Sequence, residues 1–232
     1  MMTMEKQPIE SRVLLLSHLP DGIGARTLQG AFYALMNSFV PDLTKEEHES
    51  PFNHFSLYRR RGKIIVGTVG SFWSEFLNGD RLKEYSWQLG SENVSINAVA
   101  ERELFSVPGN FPSVALLHFR GPVIFRDSKR KAIRKPDLTD IFGNTARRIG
   151  LSKEQVVEIC QHIKVRGREL KSCKINYGFQ QEPSLTGRIG LDLSELPENL
   201  YDDCAYLLRG LDALGCGCKT SMGFGATEVE ID

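Results

Sequence analysis

Gly215-Cys216-Gly217-Cys218-Lys219-Thr220-Ser221-Met222-Gly223-Phe224-Gly225 is the stretch on which the reading of this chain turns. Two Gly-x-Gly pairs flank five residues, with Lys219 between them. Glycine lets the backbone take positive φ and lets another backbone come close. Five residues with one charge and two hydroxyls, bracketed this way, suit a loop that wraps a polyanion with amide N–H groups. Upstream, Leu200, Cys204, Leu207, Leu208 and Leu211 recur at helical spacing. Downstream, residues 226–231 alternate and read as a strand. The loop therefore joins a helix to a final strand. A phosphate-binding P-loop needs glycine directly before its lysine and runs from strand to helix. Here Cys218 precedes Lys219 and the order is reversed, which excludes it. Gly223-Phe224-Gly225 echoes the centre of the RNP1 motif of RNA-recognition modules, without the flanking aromatics. A glycine-rich turn that simply fits a tight corner is the plain alternative.

The whole chain sets the bounds. Its 232 residues make one large domain or two small ones, with 41% apolar and 25% charged residues, ordinary for a globular chain with a sizeable core. No apolar run approaches the roughly 18 residues of a membrane span. Residues 1–11 have no apolar segment of signal-peptide type. Five cysteines is an odd count, and Cys216 and Cys218 stand two apart rather than in a zinc-type C-x-x-C. All five read as reduced thiols in a cytoplasmic protein, with no metal site and no cofactor expected. Net charge is zero, but its distribution is uneven. Residues 120–174 hold 15 Lys and Arg against 6 Asp and Glu, leaving 14 against 23 elsewhere from totals of 29 and 29. Such asymmetry can focus a positive field on one surface for a nucleic acid, unless the charges alternate in space.

The hydrophobic pattern orders the elements. Val13-Leu14-Leu15-Leu16 is of strand length, and Pro20-Asp21-Gly22 marks a turn. Leu28, Ala31, Phe32, Leu35, Met36 and Phe39 form a helical stripe from which Tyr33 stands aside. Residues 42–50 are polar and acidic and contain His48. Strands follow at 51–59 and 63–69, then a helix around Phe72, Trp73, Phe76 and Leu77, then a strand at 94–99. This is β-α-β-β-α-β, the ferredoxin-like order. Val107-Pro108-Gly109-Asn110-Phe111-Pro112 reads as a linker. Beyond it come strand runs at 114–119 and 123–125, helices at 137–149 and, capped by Ser152, 153–163, strands at 170–178 and 185–193, the leucine-rich helix, the glycine loop and the last strand. The same order recurs with its first helix doubled. The fold class is thus α+β, with tandem ferredoxin-like (RRM-like) units at 1–107 and 113–232.

Three matches in the right order make the chain resemble the CRISPR repeat-cleaving endoribonucleases, the pre-crRNA processing branch of the RAMP superfamily. The glycine stretch fits that family's G-h-G, five residues, G-h-G signature. Val40-Pro41-Asp42-Leu43-Thr44-Lys45-Glu46-Glu47-His48-Glu49, followed by Pro51-Phe52, resembles its segment after the first helix, which ends in a histidine and runs on to Pro-Phe. Leu117-His118-Phe119-Arg120-Gly121-Pro122-Val123-Ile124-Phe125-Arg126 resembles the opening of its second domain. The glycine signature is shared by non-cutting RAMP subunits, and the histidine segment points to the nuclease. The resemblance implies metal-independent cleavage of CRISPR repeat RNA, with the 2′-hydroxyl attacking the adjacent phosphate to leave 2′,3′-cyclic phosphate and 5′-hydroxyl ends.

By that resemblance His48 is the catalytic histidine, and Tyr33, fifteen residues earlier, stands where many members carry a tyrosine. Members with a full triad often place a lysine shortly after the histidine, whereas this chain has His54. That side chain suits an acid for the leaving oxygen or, protonated, a cation beside the phosphorane. Without the resemblance, His48 in an acidic run is a solvated residue. Gly215, Gly217, Lys219, Thr220, Ser221, Gly223 and Gly225 are the expected RNA-binding loop. Arg126, Lys129, Arg130 and Lys131 are expected on the RNA backbone, with Arg166 and Arg168 behind them and solvated loops as the bland reading. His18, His118 and His162 read as structural. The expected partner is CRISPR repeat RNA as pre-crRNA or crRNA, with effector subunits and a homodimer left open and no membrane. The alternative function is a non-catalytic RNA-binding RAMP subunit of a crRNA-guided complex. A two-histidine phosphoesterase is excluded because His54-Phe55-Ser56 has no second H-x-S partner.

Overall fold

The computed structural model describes residues 6–49, 53–60, 62–70, 73, 76–77, 79–107, 109–177 and 180–231. Pro51, Phe52, Arg61, Phe72 and Pro108, each part of an expected element or linker, lie outside the described residues. The chain divides into two compact units. One comprises residues 7–103 with 221–223, and the other Lys6, 104–220 and 224–231.

The N-terminal unit runs β1 (Ile9–Leu16), α1 (Ala25–Phe39), α2 (Pro41–Glu49), β2 (Phe55–Arg60), β3 (Lys63–Val69), α3 (Gly79–Lys83), β4 (Ser86–Leu89) and β5 (Glu92–Glu101), with Trp73 and Phe76 also helical. Its sheet has the order β2-β3-β1-β5-β4, with antiparallel neighbours throughout. The first four of these give the ferredoxin-like arrangement, and β4 extends the edge beyond β5. That short strand escapes the sequence pattern because it has only two buried side chains, Trp87 and Leu89, before Gly90 turns the chain at φ +65°. The stripe on α1 is buried as its spacing requires, with Phe32, Leu35 and Met36 fully so. Phe32 meets Phe55 at 5.0 Å between ring centroids and Phe76, Trp87 and Trp73 at 6.1, 6.3 and 6.4 Å. Such aromatic pairs add about 0.5–1.5 kcal/mol each beyond area burial.

Val40 and Pro41 separate α1 from α2. The Val40 N–H still reaches Met36 O at 2.7 Å, but proline cannot continue the ladder and instead opens α2 at its first position. The acidic stretch after Pro41 is therefore a helix. Thr44 and Glu47, three apart, fall on its buried side.

The C-terminal unit runs β6 (Val114–Val123), α4 (Leu138–Arg148), α5 (Lys153–His162), β7 (Lys164–Tyr177), β8 (Gln180–Asp192), α6 (Tyr201–Leu214) and β9 (Thr227–Ile231), with sheet order β7-β8-β6-β9. This is the ferredoxin-like order again. The fold is α+β with two ferredoxin-like sheets. Asp137 with Asp140 and Ser152 with Gln155 form reciprocal capping boxes that start α4 and α5. The interruption read at Gly121-Pro122 is an irregularity within β6 rather than a gap between strands. Strands β7 and β8 begin earlier in sequence than expected, at Lys164 and Gln180. The added residues of β7 are exposed and mostly charged, with a cross-strand ion pair from Arg188 to Glu169 (2.8 and 2.9 Å), and those of β8 are polar apart from Pro183, with Glu182 and Ser184 buried. A charged outer strand carries no hydrophobic alternation, and that same charge guards the sheet edge.

Candidate active site

Tyr33, Glu47, Asn53 and His54 come together in the N-terminal unit. Alpha-helix α1 supplies Tyr33 and α2 supplies Glu47. Asn53 and His54 stand just before β2. Glu47 is 3% exposed, and both its carboxyl oxygens meet one residue. The His54 backbone N–H donates to Oε2 at 2.9 Å, and ring Nδ1 lies 2.7 Å from Oε1. The His54 side chain keeps 38% of its surface. Asn53 Nδ2 donates to the Tyr33 hydroxyl at 2.7 Å and to Glu47 O at 3.1 Å. Ser221, in the same unit, donates to Asn53 Oδ1 at 2.8 Å and accepts from Gln29 Nε2 at 2.9 Å.

The expected triad is thus only partly visible. His48 lies in α2 next to Glu47, and its side chain is outside the described residues. Tyr33 is half-buried, edge-on to Phe55 at 5.4 Å. Burial, and then the Glu47 charge, push its phenol up to about 12 against a lowering by the Asn53 hydrogen bond. Near neutral pH Tyr33 is therefore an O–H group and not a base. Glu47, Asn53 and Gln29 were missed from sequence. The signal for Glu47 was its place on the α2 face shared with Thr44, where an unpaired carboxylate would be costly.

The glycine loop does less ligand-facing work than its sequence implies. Five of its amides donate within the protein: Gly215 to Leu211 O, Cys216 to Gly225 O, Cys218 to Ile124 O, Phe224 to Lys219 O and Gly225 to Pro122 O, at 2.8–3.4 Å. Two carbonyls accept from α4, Gly215 O from Thr145 at 2.5 Å and Gly217 O from Asn144 at 2.6 Å. At Gly225 (φ +76°) a Cβ would lie 2.0 Å from Cys216 O, and at Gly217 (φ +71°) 2.5 Å from Ile124 O. These glycines are dictated by backbone packing, so the tight-corner reading accounts for both pairs. Gly215 ends α6 at φ +72°, and Gly223 takes φ +88° with Leu57 O close by. The Thr220 and Ser221 hydroxyls, expected on RNA, are buried and bonded within the protein. Thr220 accepts from Arg148 Nη1 at 2.9 Å, and Ser221 belongs to the Asn53 network. Burial raises the Cys216 thiol to about 12 and also raises Cys218, which leaves neither thiol activated.

Charge in the C-terminal unit is also largely accounted for. Glu182, 5% exposed, receives Arg126 Nη2 at 2.5 Å and Lys219 Nζ at 3.1 Å. Burial works to raise this carboxyl, and the hydrogen bonds and charges of Arg126 and Lys219 outweigh it, leaving it below the usual range. Arg120 pairs with Glu228 and Glu230, Arg166 with Asp192, and Lys164 with Glu195. Arg168 donates to Pro136 O. Acidic residues from β8, the segment after it and β9 thus answer much of the basic excess read at 120–174. Lys129, Arg130 and Lys131 differ. They are exposed at the tip of a turn closed by Asp127, whose Oδ1 takes the Lys131 N–H at 2.8 Å, with Arg130 held at φ +61°. Among the described residues they make no ion pair. His18 and His118 pair with Glu92 and Glu230 at the surface. Among the described residues, no group of three or more His, Cys, Asp or Glu is arranged to hold a metal ion, and no helix is long and apolar enough to cross a membrane.

Solved structures share this fold. An RAMP protein binding different RNA substrates superposes with a TM-score of 0.61 at 11% identity, over 97% of this chain and 99% of that one. The likeness to Cas6 is stronger. A Cas6 product complex gives 0.75 at 21% identity over 96% and 99%, and Thermus thermophilus Cas6 gives 0.67 at 22% over 97% and 100%. Residues 117–227 match the family model of CRISPR-associated endoribonuclease Cas6. No curated protein matches the sequence. The resemblance to the repeat-cleaving family is therefore present as a sequence pattern over 117–227 and as a fold over nearly the whole chain. The glycine loop, Arg126, Lys129, Arg130 and Lys131 lie inside the matched span. Tyr33, His48 and His54 lie outside it.

Proposed function

We propose that the protein is an endoribonuclease that cuts CRISPR repeat RNA within pre-crRNA, without metal. A base takes the proton of the 2′-hydroxyl. The 2′-oxygen attacks the adjacent phosphorus, the P–O5′ bond breaks, and an acid returns a proton to the leaving 5′-oxygen. The products carry a 2′,3′-cyclic phosphate and a 5′-hydroxyl, and no water is consumed. His48 and His54 are the two proton-handling groups, since an imidazole can serve either as acid or as base. Tyr33 stays protonated and serves as a donor toward the phosphorane. Lys129, Arg130 and Lys131 contact the RNA backbone, where each neutralised phosphate adds affinity without reading sequence. The observation that carries the reading is the exposed His54 ring held by a buried carboxylate beside the helix that bears His48.

The test is cleavage of end-labelled repeat RNA in EDTA by wild type, His48→Ala and His54→Ala, with a 2′-deoxy substitution at the scissile nucleotide as control. Cutting by wild type alone, abolished by the deoxy substitution, is expected. Cutting that persists in both variants would sink the site. The match over 117–227, which omits every candidate catalytic residue, favours a second reading, a non-catalytic RNA-binding subunit of a crRNA-guided complex. Tight binding with no cutting by wild type would select it.

A further inference from the structure

We propose that Glu47 is a positioning residue for His54, fixing the ring with its proton on Nδ1 and presenting Nε2 to the RNA. This rests on the reading of His54 as part of the cleavage site. Glutamate is rarely buried so fully unless paired, and an unpaired carboxylate at 3% exposure would be costly. Its neighbours on α2, Asp42 and Lys45, are exposed, whereas Glu47 shares the buried side with Thr44, so the helix turns this carboxylate inward and it needs a partner there. What holds it is His54, on both oxygens. The backbone N–H can only donate, so the carboxyl meets His54 as an acceptor. A clamp needed merely to anchor α2 to the start of β2 would be complete with that bond. The second, 2.7 Å from Oε1 to Nδ1, acts on the ring alone.

The consequence is chemical. A carboxylate facing Nδ1 selects the Nδ1–H tautomer of the neutral ring. Proton exchange with a substrate then falls to Nε2, the nitrogen turned away from Glu47. The same oxygens restrict the side-chain torsions, so Nε2 points one way rather than sampling several. Tyr33 shares this surrounding through Asn53, whose amide spans the Tyr33 hydroxyl and the Glu47 carbonyl. Glu47 acts through His54 and touches no substrate.

The first measurement is a long-range proton–nitrogen NMR correlation on the full chain with labelled histidine, His54 being assigned by its disappearance in His54→Gln. Wild type should show the neutral ring protonated at Nδ1 with Nε2 bare. Glu47→Gln, whose amide can donate to Nδ1, should move the ring toward the Nε2–H form. A wild-type ring protonated at Nε2, or a tautomer that Glu47→Gln leaves unchanged, would overturn the proposal. The second measurement is single-turnover cleavage. Glu47→Gln should cut about 10- to 100-fold more slowly, within what a general acid or base contributes. RNA affinity, measured on the 2′-deoxy substrate, should be unchanged. In a His54→Ala background Glu47→Gln should cost nothing more, because the two act as one unit. An equal further loss there would also overturn it. If Glu47→Gln does not fold, Glu47→Asp draws the same charge back by one methylene and should slow cleavage less, and the wild-type tautomer needs no variant. A tautomer shift in a protein that never cuts RNA removes the nuclease reading and leaves the pairing in place.

Discussion

Glu47 in the N-terminal unit and Glu182 in the C-terminal unit are both buried carboxylates, 3% and 5% exposed, each meeting two nitrogens. Their partners set them apart. Glu182 holds Arg126 and Lys219, two cations that keep their protons throughout the physiological range. Glu47 holds the backbone and the ring of His54, an imidazole with a second ring nitrogen. The first cluster fixes a loop and offsets its own positive charge. The second can take part in proton transfer. The difference shows why a lysine inside a glycine-rich signature is not by itself a ligand contact. A charge already answered by a buried anion has less to offer a phosphate than one left in solvent at Lys129, Arg130 and Lys131.

The sharpest break between the two clusters is His54→Ala. Single-turnover cleavage should fall by about 10²–10⁴-fold, the range for losing a general acid or base, with RNA affinity held. Unchanged cleavage would leave Glu47 with no chemistry to support. The C-terminal cluster should respond in stability instead. Gly225→Ala forces a Cβ to 2.0 Å from Cys216 O at φ +76°, and should cost on the order of 3 kcal/mol in a denaturant titration. Gly143→Ala, inside α4 with no neighbour to clash, should be neutral or gain up to about 1 kcal/mol.

Glu182→Gln should cost about 1–2 kcal/mol, since it leaves Arg126 and Lys219 without their anion while both keep some solvent. The sign of its pH dependence follows from a carboxyl held below its ordinary value. Its stabilisation is present above the unfolded carboxyl range, near 4.5, and is lost as pH falls through the lower folded value. Unfolding followed from pH 7 to acid should therefore be less steep in Glu182→Gln. Replacing Lys129, Arg130 and Lys131 together by alanine should weaken RNA binding about equally for any sequence and reduce the salt slope by roughly one for each phosphate no longer neutralised. An unchanged slope would take these residues off the RNA. The smallest effect is expected for Tyr33→Phe at alkaline pH. The folded phenol lies at about 12 against an ordinary 10.0, so its stabilisation is complete below 10 and is lost as pH rises toward 12. The variant should lack that alkaline decline in a thermal melt series.

Much of the fold was legible because its helices and central strands bury one face, and burial leaves a period. The α1 stripe, the Ser152 cap, the strand at 63–69 and the leucine-rich α6 all come directly from side-chain spacing. Strand β4 and the charged starts of β7 and β8 were not legible. One was too short to show a period, and the others are built largely from polar residues and so show no hydrophobic alternation. Among the candidate site residues, Tyr33 and His54 could be named from sequence through the family resemblance, but their partners could not. Glu47 sat in a run of acids that read as a solvated face, and only packing against the start of β2 shows that one of them turns inward.

The order of elements, the doubled ferredoxin-like pattern and the position of the glycine loop were determined by the sequence alone, since each depends on local periodicity and turn chemistry. Which polar groups are buried, and against what, was decided by the tertiary structure. Glu47 meets His54 across seven residues, Ser221 meets Asn53 across 168, and Lys219 meets Glu182 across 37. No local pattern encodes such pairs. They arise when the chain, closing on its apolar cores, must find a partner for every polar group that it draws out of water.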